Sequence, residues 1–389
     1  MKKENWSNHF YKYRFPKIQD KIFRKNARVK ENIILKGCHL QILSLISICG
    51  SIAGLPAIYN GVNMKLGIAG SGMIVKEFLT IVPFLEKIEV TAICGRKSSE
   101  VKLQELSENY SIRDIFTDYD EFLSSPVDTV YVAVPNSLHF DYAKRALEAG
   151  KNVILEKPFT SAYQEALQLC SLAKEKQLFL FEAITTLYLP NYQKIRELIP
   201  ILGDIRIVQC NYSQYSRRYD SFKEGVILPA FDRELSGGAL MDLNIYNIHY
   251  VTGLFGRPKN VEYYPNIERG IDTSGILILE YDTFKCTCIG AKDCKAPIAN
   301  NIQGDKGCIY QNTPANVCDN FEVILNNGEV QAVNENRYPH RMVNEFIDFE
   351  AMIAGKDYEK CYQLLEHSLM VCEVQAAARK KAGIVFPAD

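Results

Sequence analysis

The chain has no surplus of either charge. Its 389 residues carry 45 Lys and Arg against 46 Asp and Glu, so the molecule lacks the basic footprint that nucleic-acid binding requires, and no nucleic-acid partner is expected. Nor do its 12 cysteines fall into the spacing of a disulfide framework. A protein this long does not need one, and a reducing, cytoplasmic compartment is expected. A metal pattern is missing as well. The nearest approach, Cys286-Thr-Cys288 on one face of an alternating strand with Cys294 downstream, has no histidine close in sequence to complete a ligand set, so we expect no metal. Internal repeats and low-complexity stretches are absent. With 47% hydrophobic residues, a disordered or fibrous chain is excluded and there is length for two ordinary cores.

From Lys65 to Glu182 short apolar runs alternate with amphipathic stretches. The runs Lys65–Ala69, Val90–Cys94, Thr129–Val134, Val153–Leu155 and Leu178–Phe181 are predicted strands. Between the later ones lie a helix over His139–Ala149, closed by Gly150, and another from Ser161, where Ser161 and Gln164 have capping-box spacing. This alternation predicts a parallel, doubly wound sheet over 64–183, which binds ligands at the carboxyl ends of its strands. After about Ala183 the pattern changes. One helix spans Gly238–Phe255, stopped by Gly256 and Pro258. Strands follow at Val261–Tyr264, Ile276–Tyr281, Cys286–Ile289 and Phe321–Leu325, the last joined through Asn326-Asn327-Gly328 to Glu329–Val333 as a hairpin. Helical stretches near Arg341–Ile353 and Glu359–Lys381 complete an α+β domain over 184–389, with a large, mostly antiparallel open sheet.

Gly70-Ser71-Gly72 follows the first strand directly, and Met73-Ile74 opens a helix. In that context a Gly-x-Gly loop lets backbone N–H groups approach a dinucleotide pyrophosphate. Val75 replaces the third glycine of the fingerprint, and the bland alternative is a glycine turn with no ligand. The second strand ends at Cys94, where an NAD-selective protein places an acid for the ribose 2′-hydroxyl. Here Gly95-Arg96-Lys97-Ser98 offers two cations and a hydroxyl instead, which suits a 2′-phosphate. NADP(H) is therefore expected over NAD(H), against the reading that Arg96 and Lys97 merely solvate a loop.

Glu156-Lys157-Pro158 sits at a strand end, on the edge where a nicotinamide would lie. Asp242 and Tyr246 are four apart on the Gly238–Phe255 helix and share a face. A buried Asp needs a partner, and Lys157 is the obvious one. Oxidising a secondary alcohol requires a group that takes the hydroxyl proton as hydride leaves. A free tyrosine, with pKa near 10, is ionised in only about one molecule in a thousand at pH 7. A nearby Lys157 favours the phenolate, while the neutral phenol already suits proton donation, so carbonyl reduction is the easier direction. His249, three residues past Tyr246, is a rival base or substrate contact, or else a packed histidine.

With these residues assembled, the chain from Lys65 onward resembles the glucose-fructose oxidoreductase / inositol dehydrogenase (Gfo/Idh/MocA) family. The resemblance rests on Gly70-Ser-Gly72, Val134-Pro135-Asn136-Ser-Leu-His139, Glu156-Lys157-Pro158 and Gly237-Gly238-Ala-Leu-Met-Asp242-Leu-Asn-Ile-Tyr246, in order and at family spacing. Many relatives carry His where Tyr246 stands, so the branch of dihydrodiol dehydrogenases and glucose-fructose oxidoreductase is the nearest. Asn244 departs from the glycine common at its position. The resemblance implies that Lys157 orients the substrate and polarises its oxygen, that Tyr246 is the acid/base and that Asp242 supports both. It further implies that Val134, Pro135, Asn136, His139 and Glu156 line the nicotinamide half of the cleft, that Pro158 follows a cis peptide, and that the chain forms a homo-oligomer through its open sheet. Such a fold suits a sugar, polyol or cyclic diol. Tyr215, Arg217, Arg218 and Tyr219, between the two domains' signatures, offer donors and a stacking surface for it, or else form a surface loop. A rival of another class is a cofactor-binding regulator that has lost turnover, against which the joint presence of Lys157, Asp242 and Tyr246 speaks.

Residues 1–63 belong to a different regime. Residues 1–38 hold eleven Lys and Arg against three Asp and Glu, leaving 34 against 43 for the remainder. No charged residue lies between Lys36 and Lys65, and Leu40 to Tyr59 is apolar over about the 20 residues that cross a bilayer. A membrane or export signal, an extra helix, and an upstream start with Met64 the true first residue compete. Export would carry the catalytic residues to where nicotinamide cofactors are scarce, and no twin-Arg motif precedes the run. We read Met64 as the start, so membrane contact is expected only if residues 1–63 are genuine.

Overall fold

The computed structural model describes residues 64–389. The readings of residues 1–63 lie outside the described residues. Strands β1 (Met64–Ala69), β2 (Ile88–Cys94), β3 (Asp114–Phe116), β4 (Thr129–Val132), β5 (Asn152–Glu156) and β6 (Leu180–Ala183) form a parallel sheet in the order β3-β2-β1-β4-β5-β6. Leu66, Ile68, Val130, Val132, Val153 and Leu155 are fully buried. A parallel strand with both faces covered needs such near-continuous apolar runs, which is why the sequence made β1, β4 and β5 legible. Helices α1 (Met73–Ile81), α2 (Glu100–Tyr110), α3 (Tyr119–Leu123), α4 (His139–Glu148) and α5 (Tyr163–Lys176) cross between the strands. The strand order reverses between β1 and β4, and the crevice opens there.

The capping box of α5 is shifted by one residue. Ala162 is extended and Tyr163 is the first helical residue, so Glu165 rather than Gln164 reaches back, its Oε2 accepting from the Ser161 and Ala162 N–H groups at 3.1 Å each. Ser161 Oγ is instead 2.7 Å from Ser236 Oγ, tying the first domain to the loop that precedes Asp242 and Tyr246.

The second sheet has eight strands. After α6 (Pro190–Leu198) come β7 (Ile205–Ser213), α7 (Arg217–Lys223), a π-helical turn over Leu240–Asn244, and α8 (Ile245–Phe255). Then follow β8 (Asn260–Glu268), β9 (Ile271–Glu280), β10 (Lys285–Ala291), β11 (Ala299–Gly304), β12 (Gly307–Gln311), β13 (Phe321–Leu325) and β14 (Val330–Val333). The order is β14-β13-β12-β11-β7-β10-β9-β8, antiparallel throughout except where β7 meets β10. Strands β3, β7, β11 and β12 were not legible in the sequence. In β7 and β11 the outward positions include Gln209, Asn211, Asn301 and Gln303, so the runs read as polar loops unless the partner strands are known.

The last two helices, α9 (Val343–Gly355) and α10 (Tyr358–Ala382), cross the expected domain boundary. Phe346 lies 4.5 Å from Phe78 and 5.3 Å from Tyr131 between ring centroids, and Phe349 lies 4.6 Å from Phe181. Leu365 and Cys372 of α10 join the core of Val153, Leu155 and Leu180. Assigned by sequence order to the second domain, α9 packs on the Tyr131 and Phe181 face of the first sheet, while α10 joins the core of the alternate positions Val153, Leu155 and Leu180. Aromatic pairs of this kind contribute about 0.5–1.5 kcal/mol each beyond their area, and the two domains are joined by more than the chain connection. Among the described residues no helix is long and apolar enough to cross a membrane.

Candidate active site

The crevice at the β1/β4 switch point is a cavity of about 390 Å³. Gly70 has φ +131°, and a Cβ there would stand 2.2 Å from the Ala133 carbonyl oxygen, so only glycine lets β1 turn this close to β4. At Gly72 the reverse holds. A Cβ would meet nothing within 4 Å, which leaves an open cradle at the N-terminus of α1 where unpaired N–H groups attract a phosphate. Gly70, Ser71, Gly72, Ile74, Arg96, Val134 and Pro135 all line the cavity. Met73 does not, being 71% exposed on the far side of the first turn. Lys97 and Ser98 are also off the wall. Residues Lys97–Ser99 wind into a 3-10 turn, and Lys97 Nζ pairs with Glu100 at 2.8 Å. Ser99 and Lys102 line the cavity in their place.

Three further expected cofactor residues stand behind the wall as braces. Asn136 Nδ2 donates to the Ser236 carbonyl at 3.0 Å. His139 is buried, its ring nitrogens 2.8 Å from the Pro158 carbonyl and 3.0 Å from that of Val134, and burial pushes its pKa down. Glu156 accepts from the Tyr131 hydroxyl at 2.5 Å and from the Lys157 N–H at 3.2 Å. Burial raises its pKa, while Tyr131 and the Lys157 charge pull the other way.

Lys157 follows β5 directly, with a cis bond to Pro158. Its Nζ donates to Asp242 Oδ1 and to the Asp242 backbone carbonyl, both at 3.0 Å. The same nitrogen lies 4.8 Å from the centroid of the Tyr246 ring. The structure thus brings Lys157, Asp242 and Tyr246 together, and Asp242 sits in the π-helical turn, a distortion frequent at functional sites. Burial pushes the Tyr246 phenol up to about 12, with Lys157 and Arg341 acting against the shift. For Lys157 burial acts to lower the pKa, but the charges of Tyr246 and Asp242 outweigh it and hold the ammonium above its usual range. Asp242 is held far below the usual carboxylate range, the charges of Lys157 and Lys292 overcoming the effect of burial.

Asn244 has a physical reason for replacing glycine. Its Nδ2 donates to the Cys288 carbonyl at 3.1 Å, its Oδ1 receives Asn247 at 2.9 Å, and Gly290 opposite leaves the room, since a Cβ there would lie 2.7 Å from that of Asn244. The helix is stitched to β10.

His249 is not at the site. It is fully buried on the other flank of α8, with Nδ1 3.0 Å from His367 Nε2 and Nε2 3.4 Å from Glu182 Oε2. One residue past a shared face was enough to turn it into the core. Arg217, Arg218 and Tyr219 form the start of α7 at the surface and Tyr215 precedes its cap; Tyr215 bonds Asp220 and Tyr219 bonds Glu268, at 2.6 Å each. They line none of the cavities described here.

A second cavity, of about 440 Å³, is lined by Glu77, Tyr212, Asn316, Asp319, Asn336 and Arg341 among others. It reaches the trio through Tyr212, whose ring centroid is 6.1 Å from that of Tyr246. Sequence reading missed this wall, and it missed Lys292 and Asp272. Lys292 is 2% exposed, and its Nζ lies 2.5 Å from Asp242 Oδ2. Asp272 Oδ2 accepts from the Leu240 N–H and the Tyr263 hydroxyl at 2.7 Å each, and burial raises its pKa to about 6. The one available signal was a lysine closing the apolar run Ile289-Gly-Ala291. Among the described residues no group of His, Cys, Asp or Glu could hold a metal ion. Cys286 and Cys288 lie fully buried, their sulfurs 3.7 Å apart, with Cys288 in register with Cys210.

Residues 64–183 match GFO_IDH_MocA, the oxidoreductase family with an NAD-binding Rossmann fold, and residues 192–310 match the GFO/IDH/MocA C-terminal domain. The chain belongs to this family. It is 32% identical to scyllo-inositol 2-dehydrogenase (NADP(+)) IolU of Bacillus subtilis (strain 168) over 84% of this chain and 99% of that protein. It is 29% identical to D-xylose 1-dehydrogenase (NADP(+)) of Hypocrea jecorina over 84% of this chain and 94% of that one. Among solved structures, KijD10, a 3-ketoreductase from Actinomadura kijaniata in complex with NADP and TDP-benzene, superposes with a TM-score of 0.71 at 21% identity, over 82% of this chain and 97% of the other. Sequence and fold agree: the protein is a nicotinamide-dependent oxidoreductase.

Proposed function

We propose that the protein uses NADP(H) to interconvert a secondary alcohol and a carbonyl on a neutral, polyhydroxylated substrate such as a sugar or polyol. The observation that carries this is the ammonium of Lys157, bonded to Asp242 and seated against the Tyr246 ring at the strand end beside the cofactor crevice. The nicotinamide supplies or accepts the hydride when bound. Lys157 polarises the substrate oxygen, Tyr246 moves the proton on it, and Asp242 keeps Lys157 charged and aimed. With its phenol near 12, Tyr246 is protonated at neutral pH, which favours carbonyl reduction. Domains of 64–183 for the cofactor and 184–389 for the substrate, with α9 and α10 shared, fit this division of labour.

Arg96 and Lys102 on the crevice wall, with no carboxylate beside them, support NADP(H), as do the two NADP(+) dehydrogenases among the relatives. The substrate class is supported by the second cavity. Arg341 and His340 both pair with Glu77, at 2.6 Å and 3.1 Å, which leaves the Asp319 carboxylate with the amide and hydroxyl groups of the wall, a set that accepts from the hydroxyls of a neutral polyol and repels an anionic sugar. Homo-oligomer formation is supported by Ile207, Tyr264 and Ile276, exposed on the outer face of the second sheet. Buried free thiols and the need for NADP(H) support a cytoplasmic setting. The test follows NADPH and NADH consumption, and the reverse reactions, against aldoses, ketoses, inososes and polyols. The expected outcome is turnover of neutral substrates with NADPH preferred. Equal rates with NADH would overturn the cofactor reading, and turnover confined to phosphorylated or acidic sugars would overturn the substrate reading.

A further inference from the structure

We propose that Lys292 is a positioning residue for the reaction: it takes one oxygen of Asp242, so that the other oxygen holds Lys157 against Tyr246 without neutralising it. The inference rests on the reading of Tyr246 as the acid/base.

Lys292 follows β10, its backbone N–H bonded to the Thr273 carbonyl at 2.9 Å. Its side chain is sealed from solvent and meets four groups. They are Asp242 Oδ2 at 2.5 Å, the Ala230 carbonyl at 3.0 Å, the Phe231 ring at 4.9 Å from its centroid, and the field of Asp272. An ammonium this deep is costly unless a carboxylate answers it. Asp272 is committed elsewhere, its Oδ2 already receiving Leu240 and Tyr263. Asp242 is therefore the hydrogen-bonded counter-ion of Lys292, and it is also that of Lys157. One carboxylate is divided between two lysines, Oδ2 to the buried one and Oδ1 to the one at the crevice.

Two consequences follow from that division. Each oxygen has a fixed partner, so the carboxylate cannot rotate and Lys157 is held in place. Lys157 also spends two of its three N–H donors on Asp242, on Oδ1 and on the backbone carbonyl, which leaves one for a substrate oxygen. Without the Lys292 charge, Asp242 would pair with Lys157 alone. The charged groups that bear on Tyr246 are Lys157, Arg341, Glu156 and Asp242. A fuller neutralisation of Lys157 makes that field less positive, so the phenol ionises less readily and alcohol oxidation needs a higher pH.

The experiment compares Lys292→Met and Lys292→Arg with wild type and Tyr246→Phe in the full chain. It measures NADPH affinity, and then kcat and KM for oxidation of scyllo-inositol or D-xylose, whichever is turned over, from pH 7 to 12, by stopped-flow pH jump above pH 10, a range that lies above the titration of Asp272 and reaches the bend set by the Tyr246 phenol. For Lys292→Met the expected results are NADPH affinity within a factor of two of wild type, kcat lowered about tenfold or more, KM changed less, and the alkaline limb raised by about one pH unit, which is a tenfold change in ionisation. Lys292→Arg should restore the limb. A Lys292→Met enzyme that loses thermal stability but keeps the wild-type pH profile would overturn the proposal, since a purely structural lysine would behave that way. If Lys292→Met gives no soluble protein, Lys292→Arg decides. An unmoved limb with reduced kcat supports the proposal and a moved limb overturns it. Full activity of Tyr246→Phe would overturn both readings, whereas an unmoved Lys292→Met profile beside an inactive Tyr246→Phe overturns this one alone.

Discussion

The cofactor crevice and the chemical site sit side by side yet are built in opposite ways. The crevice comes from one continuous stretch, Gly70 to Tyr142, in which each strand end is followed at once by a loop that lines it. The chemical site is gathered from Lys157, Asp242, Tyr246, Lys292 and Arg341, carried by separate segments of both domains. A crevice of the first kind depends on local backbone geometry. A site of the second kind depends on charges that find each other only after the domains have docked. The two should therefore fail differently when altered.

The largest separation is expected from Lys157→Met. Loss of the ammonium proposed to polarise the substrate oxygen should lower kcat by ~10²–10³, while an NADPH fluorescence titration stays close to wild type. An equal loss in both measurements would mean that the two regions are not separable. Gly70→Ala attacks the other side. A Cβ placed 2.2 Å from the Ala133 carbonyl forces the loop to move, and with a strain of about 1–3 kcal/mol NADPH affinity should fall roughly 5- to 150-fold. The kcat at saturating cofactor should be affected much less, and the two parameters together read the contrast.

A third test concerns the joint between the regions. Glu182 Oε1 receives the Phe159 N–H at 3.0 Å just beyond Lys157-Pro158, and its Oε2 faces His249 on the helix of Tyr246. His367 completes this buried cluster, and burial, His249 and Arg196 push its pKa down to about 3 from 6.5. A depressed histidine binds its proton less readily in the folded state than in the unfolded one. Its stabilisation is present above the unfolded pKa and is lost as pH falls towards the folded value. Between pH 6.5 and 5 the loss should be about 2 kcal/mol. Urea unfolding across that range should show it in wild type, and His367→Gln should remove about that much of the slope, leaving the share that the buried His139 contributes. A wild-type curve that is already flat there would show that the cluster does not titrate with unfolding.

This contrast also explains what could be read in advance. The parallel sheet and the Gly70 turn were legible from periodicity and short-range spacing, Asp242 and Tyr246 from their shared helical face, and Lys157, 85 residues from Asp242, from its strand-end position and the family motif Glu156-Lys157-Pro158. Lys97 was mistaken for a cavity residue because a 3-10 turn, invisible in the sequence, rotates it onto Glu100 and brings Lys102 forward. His249 was a fair rival on helical spacing alone, and only the packing against Glu182 and His367 removes it. Arg341 had no local mark, and Lys292 only the faint one of a cation closing an apolar run. Their meaning lies in a partner fifty or more residues away, and such partners appear only with the tertiary structure.

The proposed chemistry turns on the proton carried by Tyr246. Single-turnover oxidation of NADPH, followed with the best carbonyl substrate of the panel, should slow by ~10²–10⁴ in Tyr246→Phe, as expected for loss of a general acid. The His249→Gln enzyme should react at nearly the wild-type rate. A Tyr246→Phe enzyme that transfers hydride at the wild-type rate, beside a His249→Gln enzyme that does not, would contradict the account.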